Sequence, residues 1–281
     1  MGEARTGGTF RGAASLLVAF ALACALAGLA GCGGSAEGAT SDGETLRVGV
    51  RDDVVGFGFQ NKDTGRYYGL EIDIAQEMAK RMGYADVEFV TVTPDTRKDM
   101  LLDGEVDCVA ACYSVAEPRL KNFDFSPAYY ADESVIMVAN SSLVTALDDL
   151  KGKTFGTMAG TNTAPQLALR LTEAGFTSGT VVSQNEDHSF NQFDTFQLVQ
   201  VDSYQNLSNA LEKGAVDAAC MDGAIAKTYL GDDRSILDFT IDTQDYGVAT
   251  VKGSALSQPV ADAVQSMLDD GTVAELVKKW K

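Results

Sequence analysis

The sequence predicts an α/β protein made of two doubly wound lobes that are joined by a hinge of two chain segments. Three observations lead to this prediction. Strand-like and helix-like segments alternate, the pattern of the first half returns in the second, and two amphipathic helices close the sequence. Alternating strands and helices are typical of a mostly parallel sheet covered by helices. A pattern that occurs twice predicts two such sheets.

The first half of the chain carries one copy of the pattern. Residues 71–82 have apolar side chains at helical spacing, and Gly83 follows as a helix end. A short helix is expected to begin at Asp95 or Thr96 and to end at residue 102. The strands of this half are expected at residues 46–50, 87–92 and 106–111.

The second half repeats this order of elements. Residues 102–108 (LDGEVDC) and 211–218 (LEKGAVDA) share a local signature, namely a helix end, a glycine, Val-Asp and a buried strand. Each half is therefore interpreted as one lobe built from the same βαβ unit. Residues 186–195 look like an insertion, and we assign no function to them. The elements of this half are expected at residues 153–158, 164–174, 181–182, 197–201, 203–213 and 216–221.

The end of the chain indicates how the lobes connect. Residues 260–268 and 273–280 each carry an apolar face, and no strand follows them. They are therefore expected to pack on the first sheet, so that the chain crosses between the lobes twice. Two crossings make a hinge, and a hinge creates a ligand cleft. The expected boundaries are 44–130 with 247–281 for lobe 1, 135–245 for lobe 2, and 129–134 with 244–247 for the hinge.

Residues 1–31 are expected to be an export signal outside the fold. Two arginines precede an uncharged apolar run at 13–30, and small residues follow it. The string LAGC that ends at Cys32 resembles the bacterial lipobox, in which the cysteine is lipidated and becomes the first residue. A retained transmembrane helix is the alternative, because the run is about as long as a short span. The small and polar residues at 33–43 favour a lipidated cysteine with a flexible tether, together 32–43.

Composition excludes several classes of function. The net charge is −18, which argues against nucleic acid as a partner, because binding phosphate backbones requires clustered cations. It also argues against electrostatic docking on an anionic membrane surface. The single histidine, His188, offers no metal cluster and no histidine-based catalytic group. We therefore expect no metal, no cofactor and no catalytic residue, and we place His188 in a loop.

Three cysteines remain in the chain after residue 32, namely Cys108, Cys112 and Cys220. An odd number in an exported protein does not indicate a disulfide framework. Cys108 and Cys112 are four residues apart in one expected strand, roughly 13 Å from each other, which is too far for a disulfide. Three free, mostly buried thiols are expected.

Three stretches resemble motifs of one known family. Residues 68–75 (YGLEIDIA) are similar to a Gly-Phe-Asp-x-Asp-Leu-Ala helix start. Residues 112–119 (CYSVAEPR) and 123–130 (FDFSPAYY) resemble Thr-Ile-Thr-x-x-Arg and Asp-Phe-Ser-x-Pro-Tyr-Tyr segments. The family is that of the bacterial extracellular solute-binding proteins, family 3, of amino-acid ABC importers. It implies a type II periplasmic-binding-protein-like fold. The third stretch comprises residues 149–153 (DLKGK), 159–163 (AGTNT) and 216–222 (VDAACMD).

The resemblance implies a binding site for a free amino acid. Arg119 would hold the α-carboxylate, because a guanidinium grips a carboxylate with two parallel hydrogen bonds. Asp222 on the other lobe would take the α-ammonium. The alternatives are a surface salt bridge for Arg119 and a helix N-cap for Asp222. Further contacts are expected from Ser114, the backbone of Cys112, Thr161 and Asn162.

Arg51 and Arg97 bear on the choice of ligand. By resemblance both line the cleft, and with Arg119 they would present three cations to one ligand, which suits glutamate or aspartate. Glutamine or another polar amino acid is the next choice. Alternatively, Arg51 pairs with Asp52 or Asp53, and Arg97 with Asp95. Phe57 and Tyr113 are expected to sandwich the ligand stem or to belong to the core. Two departures from the family leave selectivity open, namely Cys112 for Gly/Ser and Ala116 for Thr.

The function implied by the resemblance is that of the substrate-binding component of an amino-acid ABC importer. Its partners would be the amino acid, the permease and ATPase of the transporter, and the outer face of the cytoplasmic membrane through the lipid on Cys32. A monomer is expected. The alternatives are a sensor subunit of a receptor and a dehydratase-type enzyme on the same fold. An enzyme is disfavoured, because the sequence offers no distinctive general acid or base.

Overall fold

The computed structural model describes residues 44–280. The expected export signal and the lipidation at Cys32 lie outside these residues and stay predictions. Between residues 44 and 280, no helix combines the length and the apolar character that a bilayer span requires.

The described chain contains fifteen strands and seven α-helices. The strands are β1 (Thr45–Val50), β2 (Asp53–Val54), β3 (Gly58–Gln60), β4 (Tyr67–Tyr68), β5 (Asp86–Thr91), β6 (Cys108–Ala110), β7 (Phe123–Phe125), β8 (Tyr130–Ala139), β9 (Thr154–Met158), β10 (Val181–Gln184), β11 (Phe190–Phe193), β12 (Gln197–Val201), β13 (Ala218–Asp222), β14 (Arg234–Tyr246) and β15 (Ala249–Val251). The helices are α1 (Leu70–Arg81), α2 (Arg97–Leu102), α3 (Thr163–Glu173), α4 (Tyr204–Glu212), α5 (Gly223–Tyr229), α6 (Ser257–Asp269) and α7 (Thr272–Trp280).

The first sheet has the strand order β5-β1-β6-β15-β7. Strand β1 is parallel to β5 and β6, whereas β15 is antiparallel to β6 and β7. Helices α6 and α7, from the end of the chain, contact α1. Their apolar faces belong to the same hydrophobic cluster as β1 and α1, through Val260, Val264 and Met267 of α6 and Val273 of α7. The last segment of the chain therefore completes the sheet that the first segment begins.

The second sheet has seven strands in the order β10-β11-β12-β9-β13-β8-β14. Its long antiparallel strands β8 and β14 are paired from Tyr130–Tyr246 at one end to Ala139–Arg234 at the other. These strands carry the chain between the two sheets. A small third sheet contains β2, β3 and β4. The two large sheets with their helices confirm the predicted fold class, while the exact lobe and hinge boundaries stay predictions.

The repeated sequence signature forms the same corner in both sheets. The Asp107 carboxylate accepts a hydrogen bond from the backbone N–H of Arg47, at 2.8 Å, and the Asp107 N–H donates back to the Arg47 carbonyl. In the second sheet the Asp217 carboxylate accepts from the N–H of Thr154, at 2.9 Å, and the Asp217 N–H donates to the Thr154 carbonyl. Each aspartate thus joins the start of one parallel strand to the start of its neighbour.

Local differences from the sequence predictions concern a hairpin and one cysteine. The segment treated as an insertion contains β11, which pairs with both β10 and β12. His188 lies in the bend of this hairpin, as predicted. Cys108, Cys112 and Cys220 are free and buried, which is also confirmed. Cys112, however, lies beyond the end of β6 and has a φ of 46°. The strand ends at Ala110, one residue before its expected end at residue 111, and the left-handed conformation of Cys112 follows it.

The Asp217 corner gives a stability prediction. Asp217→Ala leaves the N–H of Thr154 without its acceptor, so we expect a loss of about 1–2 kcal/mol in the free energy of unfolding. Urea titration measures it. Glu212→Ala, which removes an exposed carboxylate from the neighbouring helix end, should change the value by less than about 0.5 kcal/mol. Equal effects of the two substitutions would contradict the role of the corner.

Candidate functional site

One small cavity lies where the ends of strands from both sheets meet. The space in it that is open to a water molecule is about 10 Å³. Eight of the ten predicted ligand-binding residues line it, and they come from both sheets. Those eight are Arg51, Arg97, Cys112, Ser114, Arg119, Thr161, Asn162 and Asp222. The other lining residues are Pro94, Tyr204 and Gln244.

The strand arrangement explains why these residues converge. Arg51 directly follows β1, and Asp222 is the last residue of β13. Thr161 and Asn162 lie between β9 and α3. These positions are at the carboxyl ends of parallel strands, which is where open α/β sheets form their ligand crevices. Facing edges of two sheets therefore bring residues that are far apart in sequence around one space.

Asp222 is held by three hydrogen-bond donors. Its Oδ1 accepts from the Ser134 hydroxyl at 2.9 Å and from the Gln244 side-chain amide at 2.5 Å. Its Oδ2 accepts from the Tyr246 hydroxyl at 2.5 Å. A carboxylate has about four lone-pair sites, so room for about one more donor remains. Asp222 stands at the N-cap position of α5, but its side chain makes no capping bond there.

The three donors to Asp222 belong to the strands that connect the sheets. Ser134 is on β8, and Gln244 and Tyr246 are on β14. Ser114, at the end of the first sheet, pairs with Tyr246 through an isolated β-bridge. The orientation of the Asp222 carboxylate is therefore coupled to the conformation of both connecting strands.

Arg119 is anchored on the first sheet. Its Nη1 donates to the carbonyl of Ser114 at 2.7 Å and to the hydroxyl of the same residue at 2.5 Å. Its guanidinium lies 4.4 Å from the ring centroid of Tyr113. None of the salt bridges found within residues 44–280 includes Arg119. Burial, with the neighbouring charge of Arg97, lowers the pKa of Arg119 to about 10, so the group is charged at neutral pH.

Arg97 is almost completely buried, with 3% of its surface exposed. Its Nη1 donates to the carbonyls of Ala111 at 2.7 Å and Cys112 at 3.3 Å. Its Nε has no hydrogen-bond partner among the described residues. Burial lowers the pKa of Arg97, because a guanidinium out of water loses solvation. The alternative pairing with Asp95 does not form, since Arg97 is directed at backbone carbonyls instead.

Arg51 combines both of its predicted interactions. It lines the cavity, and it also forms a two-pronged ion pair with Asp53, at 2.9 Å from Nε and 2.7 Å from Nη2. The Arg51 side chain is 2% exposed, whereas that of Asp53 is 36% exposed. The guanidinium also lies 5.5 Å from the ring centroid of Tyr204 on the second sheet. Its charge is therefore largely balanced within the chain.

The structure places neither Phe57 nor Tyr113 in the cavity lining. The Tyr113 ring is buried behind the site, where it stacks against the guanidiniums of Arg97, at 4.1 Å, and Arg119. The Phe57 ring packs edge-on against Tyr130, at 4.9 Å, and lines a separate apolar cavity. The interpretation of both rings as a ligand sandwich therefore finds no support. Both rings instead belong to the buried core, which is the alternative to the ligand sandwich.

Tyr204 and Gln244 are site residues that the sequence motifs do not indicate. Tyr204 begins α4 directly after Ser203, whose side chain caps that helix. Gln244 is a polar residue at a buried position of β14, with 7% exposure. The only sequence signal for Gln244 is its place in the expected hinge segment.

A buried carboxyl group lies behind the cavity. Glu71 has no exposed surface. Its Oε1 accepts a hydrogen bond from the backbone N–H of Cys112 at 2.6 Å and from the Tyr129 hydroxyl at 2.5 Å. Burial raises the pKa of Glu71, although these two bonds and the charge of Arg51 oppose the shift. Glu71 thus fixes the left-handed turn that begins the segment from Cys112 to Arg119.

The sequence and the fold match known proteins along most of the chain. The family profile named "Bacterial extracellular solute-binding proteins, family 3" matches residues 46–281. A glutamine-binding protein of an ABC transporter from Bacillus subtilis is 26% identical over 248 residues, which cover 86% of this chain and 83% of that protein. An L-cystine-binding protein from Escherichia coli is 29% identical over 245 residues, covering 84% and 82%. The structure of an ancestral arginine-binding protein bound to arginine superimposes with a TM-score of 0.69 at 29% identity, covering 84% of this chain and 97% of the other.

The environment of Glu71 gives a pH prediction. Because its pKa is raised in the folded state, the neutral form stabilises the fold, and this stabilisation is lost as pH rises through the folded-state pKa. Glu71→Gln has no such loss, so its free energy of unfolding should improve relative to wild type as the pH is raised. Urea titrations at several pH values between about 4 and 9 measure the trend.

The control for this prediction is on the same helix. Arg81 lowers the pKa of Glu77 by a side-chain hydrogen bond, so the ionised form of Glu77 stabilises the fold above its unfolded-state pKa. Glu77→Gln should therefore lose stability relative to wild type as pH rises, which is the opposite sign. Stability curves of wild type and Glu71→Gln that stay parallel at all pH values would contradict the prediction.

Proposed function

Because this chain belongs to the bacterial extracellular solute-binding proteins of family 3, we propose that it is the extracytoplasmic amino-acid-binding component of an ABC importer. The observation that carries the proposal is that Arg119 and Asp222 line the same cavity. A free amino acid has a carboxylate and an ammonium, and each needs a partner of opposite charge when it leaves water. Arg119 supplies the cation, and Asp222 supplies the anion with its remaining acceptor site.

The cavity has to widen to admit an amino acid. The space in it that is open to a water molecule is about 10 Å³, which is about enough for one water. The relatives of comparable identity are named for glutamine and for L-cystine. Since those ligands differ chemically, the choice of ligand has to be argued from the lining of the cavity.

The charge of the lining favours an acidic amino acid. Arg51, Arg97 and Arg119 contribute three positive charges, while Asp53 and Asp222 contribute two negative ones. Glu71 faces Cys112 and Tyr129 behind the cavity and does not line it. A neutral amino acid such as glutamine would leave one buried positive charge unbalanced, at considerable cost.

Arg97 is the group that a second ligand carboxylate would satisfy. It is buried, its Nε has no partner among the described residues, and its Nη1 bonds only to carbonyls. Hydrogen bonds between ionised groups are about twice as strong as neutral ones. Glutamate or aspartate is therefore our preferred ligand, and glutamine or another polar amino acid is the alternative.

Closure of the two lobes is the proposed mechanism. Arg119 is anchored on the first sheet and Asp222 ends a strand of the second, so a ligand completes its contacts only when the lobes are shut. It stabilises the closed state because it binds that state better than the open one. The ABC permease, with its ATPase, would recognise the closed state. We propose that the protein acts as a monomer anchored to the outer face of the membrane through Cys32.

Ligand binding can be tested on the chain that begins at Gly33, which contains every residue of both sheets. L-glutamate and L-aspartate are expected to raise the melting temperature most in a panel of the twenty amino acids. A ligand at 100 times its Kd adds about 2.7 kcal/mol to the stability. The ligand should be recovered unchanged after denaturation, which separates binding from turnover. A flat response to all twenty would refute the proposed function, and a response to glutamine alone would refute only the acidic preference.

The role of Arg97 can be tested by removing its charge. Arg97→Gln should weaken glutamate binding about 30-fold or more, because a buried charge pair of this kind is worth about 2–5 kcal/mol. Glutamine binding should change by less than about tenfold, since it has no second carboxylate. Isothermal titration calorimetry measures both values. Lys98→Gln removes the same charge from the next, exposed residue and should leave glutamate affinity nearly unchanged. Equal losses for the two variants would contradict this role.

A further inference from the structure

A tight backbone contact joins the two lobes at the edge of the cavity. Gly160 lies between β9 and α3 of the second sheet, and Pro94 and Asp95 lie between β5 and α2 of the first. A Cβ atom added to Gly160 would be 2.6 Å from the carbonyl carbon of Pro94 and 2.7 Å from the backbone nitrogen of Asp95. Real Cβ atoms essentially never approach heavy atoms so closely.

This contact is adjacent to the ligand site but is not part of it. Pro94 and Thr161 line the cavity, whereas Gly160 and Asp95 line a neighbouring surface groove. Gly160 is therefore one point at which the second lobe touches the first beside the cavity. Because glycine has no side chain, the backbone at Gly160 can lie this close to the backbone of Pro94 and Asp95.

We propose that Gly160 sets how far the lobes close, and that it thereby determines ligand affinity without touching the ligand. The inference rests on the proposed function, since closure is the step that completes the ligand contacts. Any side chain at residue 160 meets the backbone of Pro94–Asp95 in the closed state. In the open state the first lobe withdraws and the clash is absent, so a substitution acts selectively on the closed state.

The conformation of Gly160 requires a matched control. Its φ is +71°, in the left-handed region, where an alanine costs about 1–2 kcal/mol in the open and closed states alike. Gly152 lies in the turn before β9 and has a φ of +75°, and a Cβ added there would meet no atom within 4 Å. Gly152→Ala therefore has the same backbone strain without the contact between lobes.

The affinity for L-glutamate is the first measurement. Overpacking of a close contact costs about 1–3 kcal/mol, so Gly160→Ala should bind about tenfold or more weakly than Gly152→Ala. Asparagine adopts positive φ more readily than alanine, so Gly160→Asn keeps the clash with less strain, in case the alanine variant folds poorly. It is compared with Gly152→Asn. Affinities that agree within about twofold in both pairs would overturn the proposal.

Cys112 provides a second measurement that needs no ligand. It lines the cavity and is 6% exposed, whereas Cys108 and Cys220 are fully buried in strands. In the chain from Gly33, iodoacetamide should alkylate Cys112 several-fold faster in Gly160→Ala than in Gly152→Ala, because the lobes are open for more of the time. Mass spectrometry assigns the site, and the other two cysteines report any general unfolding.

The two measurements separate the possible failures. If wild type binds no amino acid, the proposed function fails, while the alkylation rate of Cys112 still tests the contact at Gly160. If affinity falls but the alkylation rate of Cys112 is the same in Gly160→Ala and Gly152→Ala, the substitution has distorted the neighbouring turn at Thr161 instead. That outcome would overturn the proposal.

Discussion

The burial of three guanidinium groups around one small cavity is the constraint on which the rest of the site depends. An isolated buried charge is costly, so each arginine has to be compensated by its surroundings. Arg51 is compensated by Asp53, and Arg97 by two backbone carbonyls. The ring of Tyr113 faces both Arg97 and Arg119, and the negative face of an aromatic ring attracts cations. These partners lessen the positive charge of the site without cancelling it, and this is the condition under which an anionic ligand gains most from entering.

Asp222, the negatively charged side chain of the cavity, is linked to the strands that connect the two sheets. Asp222 receives its hydrogen bonds from Ser134, Gln244 and Tyr246, on the two strands that connect the sheets. A change in the twist of β8 against β14 moves these donors relative to Asp222. We therefore propose that lobe closure also positions Asp222 to accept the ligand ammonium. Arg119 is connected to the same strands, because it is anchored to Ser114, which forms a β-bridge with Tyr246 of β14.

The parts of the structure that sequence alone predicts are those with local causes. The corners at Asp107 and Asp217 follow from a helix end, a glycine and Val-Asp, which act within a few residues of the chain. Arg119 and Asp222 were found through family motifs, and the structure brings them into one cavity. Gln244 was missed because its contact with Asp222 depends on the pairing of β8 with β14, which residue spacing does not specify. The sequence leaves Phe57 open between the ligand site and the core for a related reason, since a large ring after a strand fits both equally well.

The ligand differs among the relatives of this chain, because proteins of 26% and 29% identity to it are named for different amino acids. In this cavity the charges of Arg119 and Asp222 match the two groups that every free amino acid shares. The charge of Arg51 is already balanced by Asp53. Arg97 is then the one lining cation whose charge is opposed neither by Asp53 nor by the common part of the ligand. We therefore propose that this single side chain on α2 decides whether the cavity favours an acidic or a neutral ligand.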